Sequence, residues 1–271
     1  MTNRFFRFSN RAMLILFNIF FFLALIFAIT SPNLILGDNK ITGAGTTMVT
    51  TFFIVISIVL ILSVIVYPKA RHYFLLIFVK HQKLTAAICL ALVVCWQIIF
   101  VLNVHPAIGF DAGAIHEGLI NTQDIELRTY FGLYYNNMAL LLIQHALATL
   151  FSTTSWLFFD LMTLLVVDLS AVLILLTILL LDKKRIPLAM YIESAWLLLF
   201  PTIIIPYTDA WVLPFVSGYL LCYVALKNKK FKLWQRSVFA ILFGLLVAGT
   251  YFMKPSAIAP VIAIVLIEVI Y

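Results

Sequence analysis

Residues 156–181 read WLFFDLMTLLVVDLSAVLILLTILLL, an apolar run whose only charged side chains are Asp160 and Asp168. The run exceeds the ~20 residues that an α-helix needs to cross the hydrocarbon core of a bilayer. Similar runs recur along the 271-residue chain, of which 64% is hydrophobic and only 11% is charged, whereas soluble domains carry about 25% charged residues. The sequence therefore predicts an all-α, polytopic membrane protein, because helices satisfy their own backbone hydrogen bonds within lipid.

Eight of the apolar runs are predicted to be membrane-spanning helices. They comprise residues 12–30, 47–67, 84–104, 156–181, 186–205, 211–226, 238–252 and 258–271. A further run, 138–151, is short for a span and contains Gln144 and His145. We expect it to form a juxtamembrane helix that does not cross the bilayer.

The positive charges predict the orientation, because lysine and arginine are enriched in cytoplasmic loops. If 138–151 does not cross, 15 of the 18 lysines and arginines lie on the cytoplasmic side, together with the N-terminus. The remaining three, Lys40, Arg128 and Lys254, lie on the outer side. If 138–151 crossed, eight of the basic residues would move outward. The net charge of +7 is therefore interpreted as a sign of membrane topology and not of nucleic-acid binding.

Two parts are predicted within the chain. Residues 1–83 would supply two N-terminal spans and a cytoplasmic interfacial segment, 73–83. Residues 84–271 would form the main helical module, with an outer loop at 105–137 and the juxtamembrane helix that follows it. The last predicted span runs to the final residue without a polar tail, so we expect the chain to be the front part of a larger protein.

The outer loop holds the first candidate site residues. Asp111 is the centre of the pentapeptide GFDAG and follows the third predicted span, where its carboxylate would lie close to the lipid headgroups. His116 and Glu117 look like the start of a zinc-protease motif, but the second histidine is absent because residue 120 is isoleucine. Tyr134 is one of several aromatic residues in the loop. The alternative interpretation is a solvated loop whose charges simply face water.

Two short outer segments add a carboxylate and a cation. Asp209 lies in the turn PYTDA, residues 206–210, and Lys254 lies at a helix end in MKPSA, residues 253–257. A lysine at this depth can anchor its helix by reaching the lipid headgroups. It can also bind a substrate phosphate as a point charge. An outer lysine beside outer carboxylates is the minimum set for binding a phosphate and activating an acceptor.

Acidic residues also fall inside the predicted spans. A charged group there is costly, so it is usually functional or paired with another group. The sequence leaves both interpretations open for these four residues, which are Asp160, Asp168, Glu193 and Glu268.

In their order and sidedness, the outer elements resemble the GT-C superfamily of membrane glycosyltransferases, above all its protein O-mannosyltransferase and lipid A aminoarabinose transferase branch. The resemblance covers roughly residues 84–271. It departs from the family pattern where Pro255 directly follows Lys254, and where Asn136 and Asn137 replace prolines. The elements that carry it are the acidic loop at Asp111, YYNNMALLL at 134–142, DKKR at 182–185, the turn at Asp209 and GTYFMKP at 249–255.

The resemblance implies inverting transfer of a sugar from a polyprenyl-phosphate donor to a cell-envelope glycan, lipid or protein on the outer face of the membrane. A composition rich in Phe, Ile, Leu, Asn and Lys suits a bacterial plasma membrane. Asp111 would be the catalytic base, and Lys254 would bind the donor phosphate. Asp209 would orient the acceptor or support a divalent metal, and the need for a metal stays open. Further substrate-binding residues are expected at His116, Glu117 and Tyr134.

A multi-span transporter or lipid flippase is the main alternative function. Such a protein would have inverted repeats and a binding site near the midplane of the membrane. The sequence has no evident repeat, and its densest polar cluster lies at the outer surface. A third possibility is an inactive fragment or a non-catalytic membrane subunit.

Overall fold

The computed structural model describes residues 2–30, 48–103, 110–121, 123–199 and 205–270. All regular secondary structure in these ranges is helical, which confirms the predicted all-α class for them. The chain divides into two compact units, residues 1–79 and 80–271.

The first unit contains three α-helices in its described part, followed by a π-helix at the junction with the second unit. The helices are α1 (Thr2–Thr30), α2 (Met48–Val66), α3 (Pro68–Phe74) and the π-helix Leu75–Lys80.

The chain turns by 105° between α2 and α3. Pro68 causes the turn, because it has no N–H for the helical ladder and it disfavours a helical backbone in the residue before it. Tyr67 accordingly has extended dihedrals, with φ −95° and ψ 118°. The Arg71 guanidinium donates to the carbonyl oxygen of Ile65 at 2.6 Å, which satisfies a carbonyl at the end of α2. The predicted interfacial segment 73–83 thus comprises the end of α3, the π-helix and the start of the next α-helix.

The second unit carries the candidate site residues. Short 3₁₀ turns, Lys183–Arg185 and Pro255–Ile258, connect some of its helices. The helices are α4 (Gln82–Asn103), α5 (Phe110–Ile120), α6 (Ile125–Leu133), α7 (Tyr135–Phe151), α8 (Trp156–Leu181), α9 (Ile186–Leu199), α10 (Thr208–Trp211), α11 (Leu213–Asn228), α12 (Leu233–Met253) and α13 (Ala259–Ile270).

The most extensive helix contact in this unit joins α8 to α11. Both helices bury small side chains, which allow the two backbones to approach closely in a membrane protein. The buried small residues are Thr163, Ser170 and Ala171 on α8, and Ser217, Cys222 and Ala225 on α11.

The contact between α11 and α12 is also close. Gly249 of α12 lies against the ring of Phe215 in α11, and a Cβ atom at position 249 would come within 2.6 Å of that ring. Elsewhere in the unit, α9 packs along α4.

Four helical segments among the described residues are long and apolar enough to cross a bilayer: Gln82–Asn103, Trp156–Leu181, Thr208–Asn228 and Leu233–Met253. The bent pair at Pro68 adds a fifth if it counts as one span. The predicted span 258–271 lies largely within a shorter apolar segment, Pro255–Ile270, and residues 200–204 of the predicted span 186–205 are outside the described ranges. Several spans are therefore supported, whereas the total of eight stays a prediction.

Within the outer loop predicted at 105–137, residues 110–120 and 125–133 form helices. Its position outside the membrane stays a prediction. Asp124 caps α6, because its Oδ1 accepts from the backbone N–H groups of Glu126 at 2.7 Å and Leu127 at 3.2 Å. Ile115 and Phe131 are buried, and their packing stabilises these two helices. The polar composition of the segment did not indicate this packing. The helix predicted at 138–151 is present as α7 and begins at Tyr135, three residues before the predicted start. Its juxtamembrane position stays a prediction.

Labelling of introduced cysteines tests the predicted orientation. In a background without Cys89, Cys95 and Cys222, we expect an impermeant maleimide to label Glu126→Cys on intact cells, and Lys230→Cys only after lysis. Both positions are exposed in the structure, so a difference in labelling would report the side of the membrane and not burial within the protein. Labelling of both variants on intact cells would show that 138–151 crosses the membrane and would contradict the predicted topology.

Candidate functional site

Asp111 lies in the first turn of α5, where the positive end of the helix dipole favours a carboxylate. Its Oδ1 accepts a hydrogen bond from the Tyr130 hydroxyl of α6 at 2.6 Å. Its Oδ2 accepts one from the Tyr207 hydroxyl, also at 2.6 Å. Tyr207 immediately precedes α10, so the half-buried carboxylate joins three segments that are far apart in the sequence.

The hydrogen-bond network continues behind Tyr130. The Nδ2 group of Asn137, a fully buried residue of α7, donates to the Tyr130 hydroxyl oxygen at 2.5 Å. Asn136 in turn donates from Nδ2 to Oδ1 of Asn137 at 2.9 Å. The Tyr130 hydroxyl therefore accepts from Asn137 while it donates to Asp111, which fixes the direction of both bonds.

The electrostatics of the network favour an ionised carboxylate and neutral tyrosines. Burial raises the pKa of Asp111, but the hydrogen bonds from Tyr130, Tyr207 and the nearby Asn137 lower it by more, so the pKa lies below its usual 3.8. Burial and the bond to Asp111 both raise the pKa of Tyr130, and the same two causes raise the pKa of Tyr207. At neutral pH the two phenols therefore act as donors to an anion.

Asp209 and Lys254 form an ion pair beside this network. Asp209 lies in the single turn of α10, two residues after Tyr207, and Lys254 follows the last residue of α12. Partial burial lowers the pKa of the Lys254 ammonium, whereas the carboxylate beside it favours the charged form. The side chains are partly accessible, at 57% for Asp209 and 31% for Lys254, so a ligand can reach both.

The turn that carries Tyr207 and Asp209 is fixed to the core on both sides. The Gln144 side chain donates from Nε2 to the carbonyl oxygen of Pro206 at 3.4 Å. The Trp211 indole donates from Nε1 to the Thr163 hydroxyl of α8 at 2.8 Å. Thr208, between these anchors, is 1% exposed.

The structure brings three of the six predicted site residues together. Asp111 contacts Tyr207, and Tyr207 shares a tight turn with Asp209, which pairs with Lys254. Tyr134 lies at the edge of this cluster, exposed, with its ring centroid 4.9 Å from that of Tyr130.

His116 and Glu117 lie apart from the cluster. His116 is five residues beyond Asp111 on α5, which turns its side chain about 140° around the helix. Its ring stacks on Trp156, with the centroids 3.8 Å apart, and meets the edge of Phe159. Only 8% of His116 is exposed, whereas Glu117 is exposed to solvent. Their assignment as substrate-binding residues stays a prediction.

Sequence reasoning missed the three side chains that bind the candidate base: Tyr130, Tyr207 and Asn137. The sequence did contain a usable signal for these donors. A half-buried carboxylate needs hydrogen-bond donors, and tyrosines are frequent in the same predicted outer segments. Within the described ranges, no three His, Cys, Asp or Glu side chains are grouped as metal ligands.

A small cleft of about 270 Å³ opens between α5, α6 and α7. Gly118, Phe131 and Leu141 contribute to its apolar wall, and Asp124 and Arg128 contribute polar groups. The Phe131 ring meets the Tyr130 ring edge-on, with the centroids 5.1 Å apart, so the cleft lies close to the network around Asp111.

The buried position of His116 predicts a pH-dependent stability. Burial lowers the pKa of the folded imidazole below its usual 6.5, so the unfolded chain binds the proton more readily. Stability should therefore fall as the pH drops below about 6.5 towards the folded pKa. We expect His116→Phe, which keeps an aromatic ring against Trp156, to reduce this loss in melting temperatures measured in detergent. The exposed His145 provides the control, and an equal loss in His116→Phe and His145→Phe would contradict the prediction.

The comparisons with known proteins add a family to this geometry. Neither a curated protein nor a solved structure matches the chain. The chain belongs to the family described as conserved hypothetical integral membrane proteins, which it matches over residues 5–271.

Proposed function

We propose that this membrane protein is a glycosyltransferase that moves a sugar from a polyprenyl-phosphate donor to an acceptor hydroxyl, with inversion at the anomeric carbon. The observation that carries the proposal is the meeting of Asp111, Tyr207, Asp209 and Lys254 at one end of the helices of the second unit. The elements that supply these residues are those that resemble the GT-C superfamily. The site would lie on the outer face of a bacterial plasma membrane, where the positive charges of the sequence predict it.

Lys254 would bind the donor phosphate. It is a point charge at the end of an apolar helix, where a lipid-linked phosphate would lie with its tail along the bilayer. Asp209 now pairs with this lysine, so an incoming phosphate would compete with a carboxylate for the same ammonium group. Neutralising the phosphate as it leaves would lower the barrier, since charge develops on it in the transition state.

Asp111 would act as the general base. Each of its oxygens accepts one hydrogen bond from a tyrosine, which leaves each oxygen a second lone pair. The acceptor hydroxyl would give its proton to Asp111 while its oxygen forms the new bond to the anomeric carbon. The bond between that carbon and the phosphate oxygen would break, with its electron pair leaving on the phosphate. A single displacement of this kind inverts the anomeric centre.

Acceptor binding would involve the exposed edge of the cluster. Asp209 is accessible and could accept a hydrogen bond from an acceptor hydroxyl once a phosphate has drawn Lys254 away. Tyr134 presents an exposed ring next to Tyr130. The cleft behind Phe131 offers both an apolar wall and polar groups, which suits part of an amphipathic acceptor.

A transporter is the second candidate, and buried polar groups within the helices favour it. Gln97, Asp168 and Glu193 each have a buried side-chain atom without a hydrogen-bond partner in the described part of the chain. Such groups mark ion or proton pathways in many transporters. The two candidates differ in their tests, because transport requires these residues whereas sugar transfer requires Asp111.

Sugar transfer and its loss on removal of the base test the enzyme directly. We expect membranes that contain the protein to transfer radiolabel from a panel of polyprenyl-phosphate sugars, and Asp111→Asn to lower the rate ~10²–10⁴-fold. Glu126→Gln neutralises an exposed carboxylate on the same predicted side and serves as the matched control. Transfer at the same rate in Asp111→Asn would exclude Asp111 as the base. No transfer from any donor, by this chain or by a longer natural chain that contains it, would exclude the enzyme.

A change at Lys254 tests the phosphate site separately. We expect Lys254→Met to raise the KM for the donor roughly tenfold or more, because a hydrogen bond to a charged group is lost. The KM for the acceptor should change little. Lys227→Met is the matched control, since Lys227 also forms an ion pair, with Glu268, but at the other end of α11. Equal donor KM values in the two variants would argue against a phosphate at Lys254.

A further inference from the structure

We infer that Tyr130, Tyr207 and Asn137 are positioning residues, which hold the Asp111 carboxylate as an anion in a single orientation. The inference concerns the state of Asp111 itself, and it rests on the proposed function only for its catalytic consequence.

Two hydrogen bonds fix the orientation of the Asp111 carboxylate. The two oxygens of Asp111 are held by different donors, Tyr130 on one side and Tyr207 on the other, both at 2.6 Å. Rotation of the carboxylate would break both bonds at once. The lone pairs that remain are therefore held in fixed directions, as a base that must meet one particular hydroxyl requires.

Both donors to Asp111 are themselves held in place by other residues. The Tyr130 hydroxyl is held by Asn137, which is fully buried in α7. Tyr207 is held through its neighbours in the chain, since Pro206 accepts from Gln144 and Thr208 is almost fully buried. The donors belong to the packed core and not to mobile surface side chains, so the cost of ordering them is met during folding.

Asp111 forms no ion pair with a cationic side chain in the part of the chain that the structure describes. The nearby Lys254 pairs with Asp209. His116, on the same helix, is packed against Trp156 on another side of α5. Among the described residues, the hydrogen-bonding groups that act on Asp111 are thus two phenols and one amide, those of Tyr130, Tyr207 and Asn137. Hydrogen bonds from these neutral donors lower the pKa of Asp111, whereas burial raises it. Loss of one donor should therefore raise the pKa of Asp111.

The catalytic consequence follows if the proposed function holds. A carboxylate kept ionised down to low pH is ready to accept a proton at every physiological pH. Its basicity is modest, which suits a reaction in which the acceptor proton leaves late, after the bond to the phosphate has largely broken. Orientation, more than proton affinity, would then be the contribution of the tyrosines.

Carbodiimide labelling tests the inference without any assay of activity. Dicyclohexylcarbodiimide adds to a carboxyl group only in its protonated form, and peptide mass spectrometry reports the extent at Asp111. We expect the midpoint of labelling against pH to move upward by about one unit in Tyr130→Phe and in Tyr207→Phe. At a fixed pH above the midpoint, labelling should then rise about tenfold. Asn137→Ala should give a smaller shift in the same direction.

Tyr251→Phe is the matched control, because the Tyr251 ring lies beside that of Tyr135, with the centroids 6.4 Å apart, and the donors to Asp111 are Tyr130 and Tyr207. Melting temperatures measured in parallel identify any variant that has not folded, and the two phenylalanine variants remove independent donors. The inference is overturned if both folded variants keep the wild-type midpoint. In the transfer assay, the acid limb of the rate profile should move with the labelling midpoint. A labelling shift without any transfer would retain this inference and reject the proposed function.

Discussion

Close packing between α8 and α11 determines where the groups at the candidate site lie. Small side chains on both helices let the backbones approach, and the Trp211 indole, just before α11 begins, bonds to Thr163 of α8. Because Trp211 is the last residue of α10, the turn that bears Tyr207 and Asp209 has a fixed position relative to α8. Asp111 and Lys254 approach this turn from two other helices. A weaker contact between α8 and α11 would therefore disturb the network and the ion pair together.

Much of the architecture follows from the sequence, because apolar runs must be helical in lipid. From the positions of these runs, Asp111, Asp209 and Lys254 are predicted near helix ends on one side of the membrane. In the structure, Tyr207 bonds to Asp111 and lies two residues before Asp209, which pairs with Lys254. The helical nature of residues 110–120 and 125–133 could not be inferred. It depends on burial of side chains such as Ile115 and Phe131 against other segments, which local composition does not record. The donors to Asp111 were hidden for the same reason, since Tyr207 lies 96 residues away along the chain.

The charges within the predicted spans turn out to have different surroundings. Glu268 of α13 accepts from the Tyr223 hydroxyl and from the Lys227 ammonium, the latter at 2.7 Å, so it is a paired group. With Asp209 and Lys254, it gives α11 an ion pair near each of its ends. Asp168 and Glu193 each retain an oxygen without a hydrogen-bond partner in the described ranges. The free-energy cost of a carboxylate in lipid is thus offset by pairing at Glu268. At Asp168 and Glu193, one oxygen lacks such a partner in the described ranges.

The contact of Gly249 with the Phe215 ring has a consequence for how this sequence can vary. A side chain at position 249 would meet an aromatic ring at 2.6 Å, so a change there requires the ring to withdraw or to shrink. Lys254 lies little more than one helical turn beyond Gly249, and its height relative to Asp209 depends on how far α12 approaches α11. The side chains at positions 215 and 249 thus share one limited space between α11 and α12. In natural variants they should exchange bulk with each other, a larger residue at 249 accompanying a smaller one at 215, while the charges at 209 and 254 keep their separation.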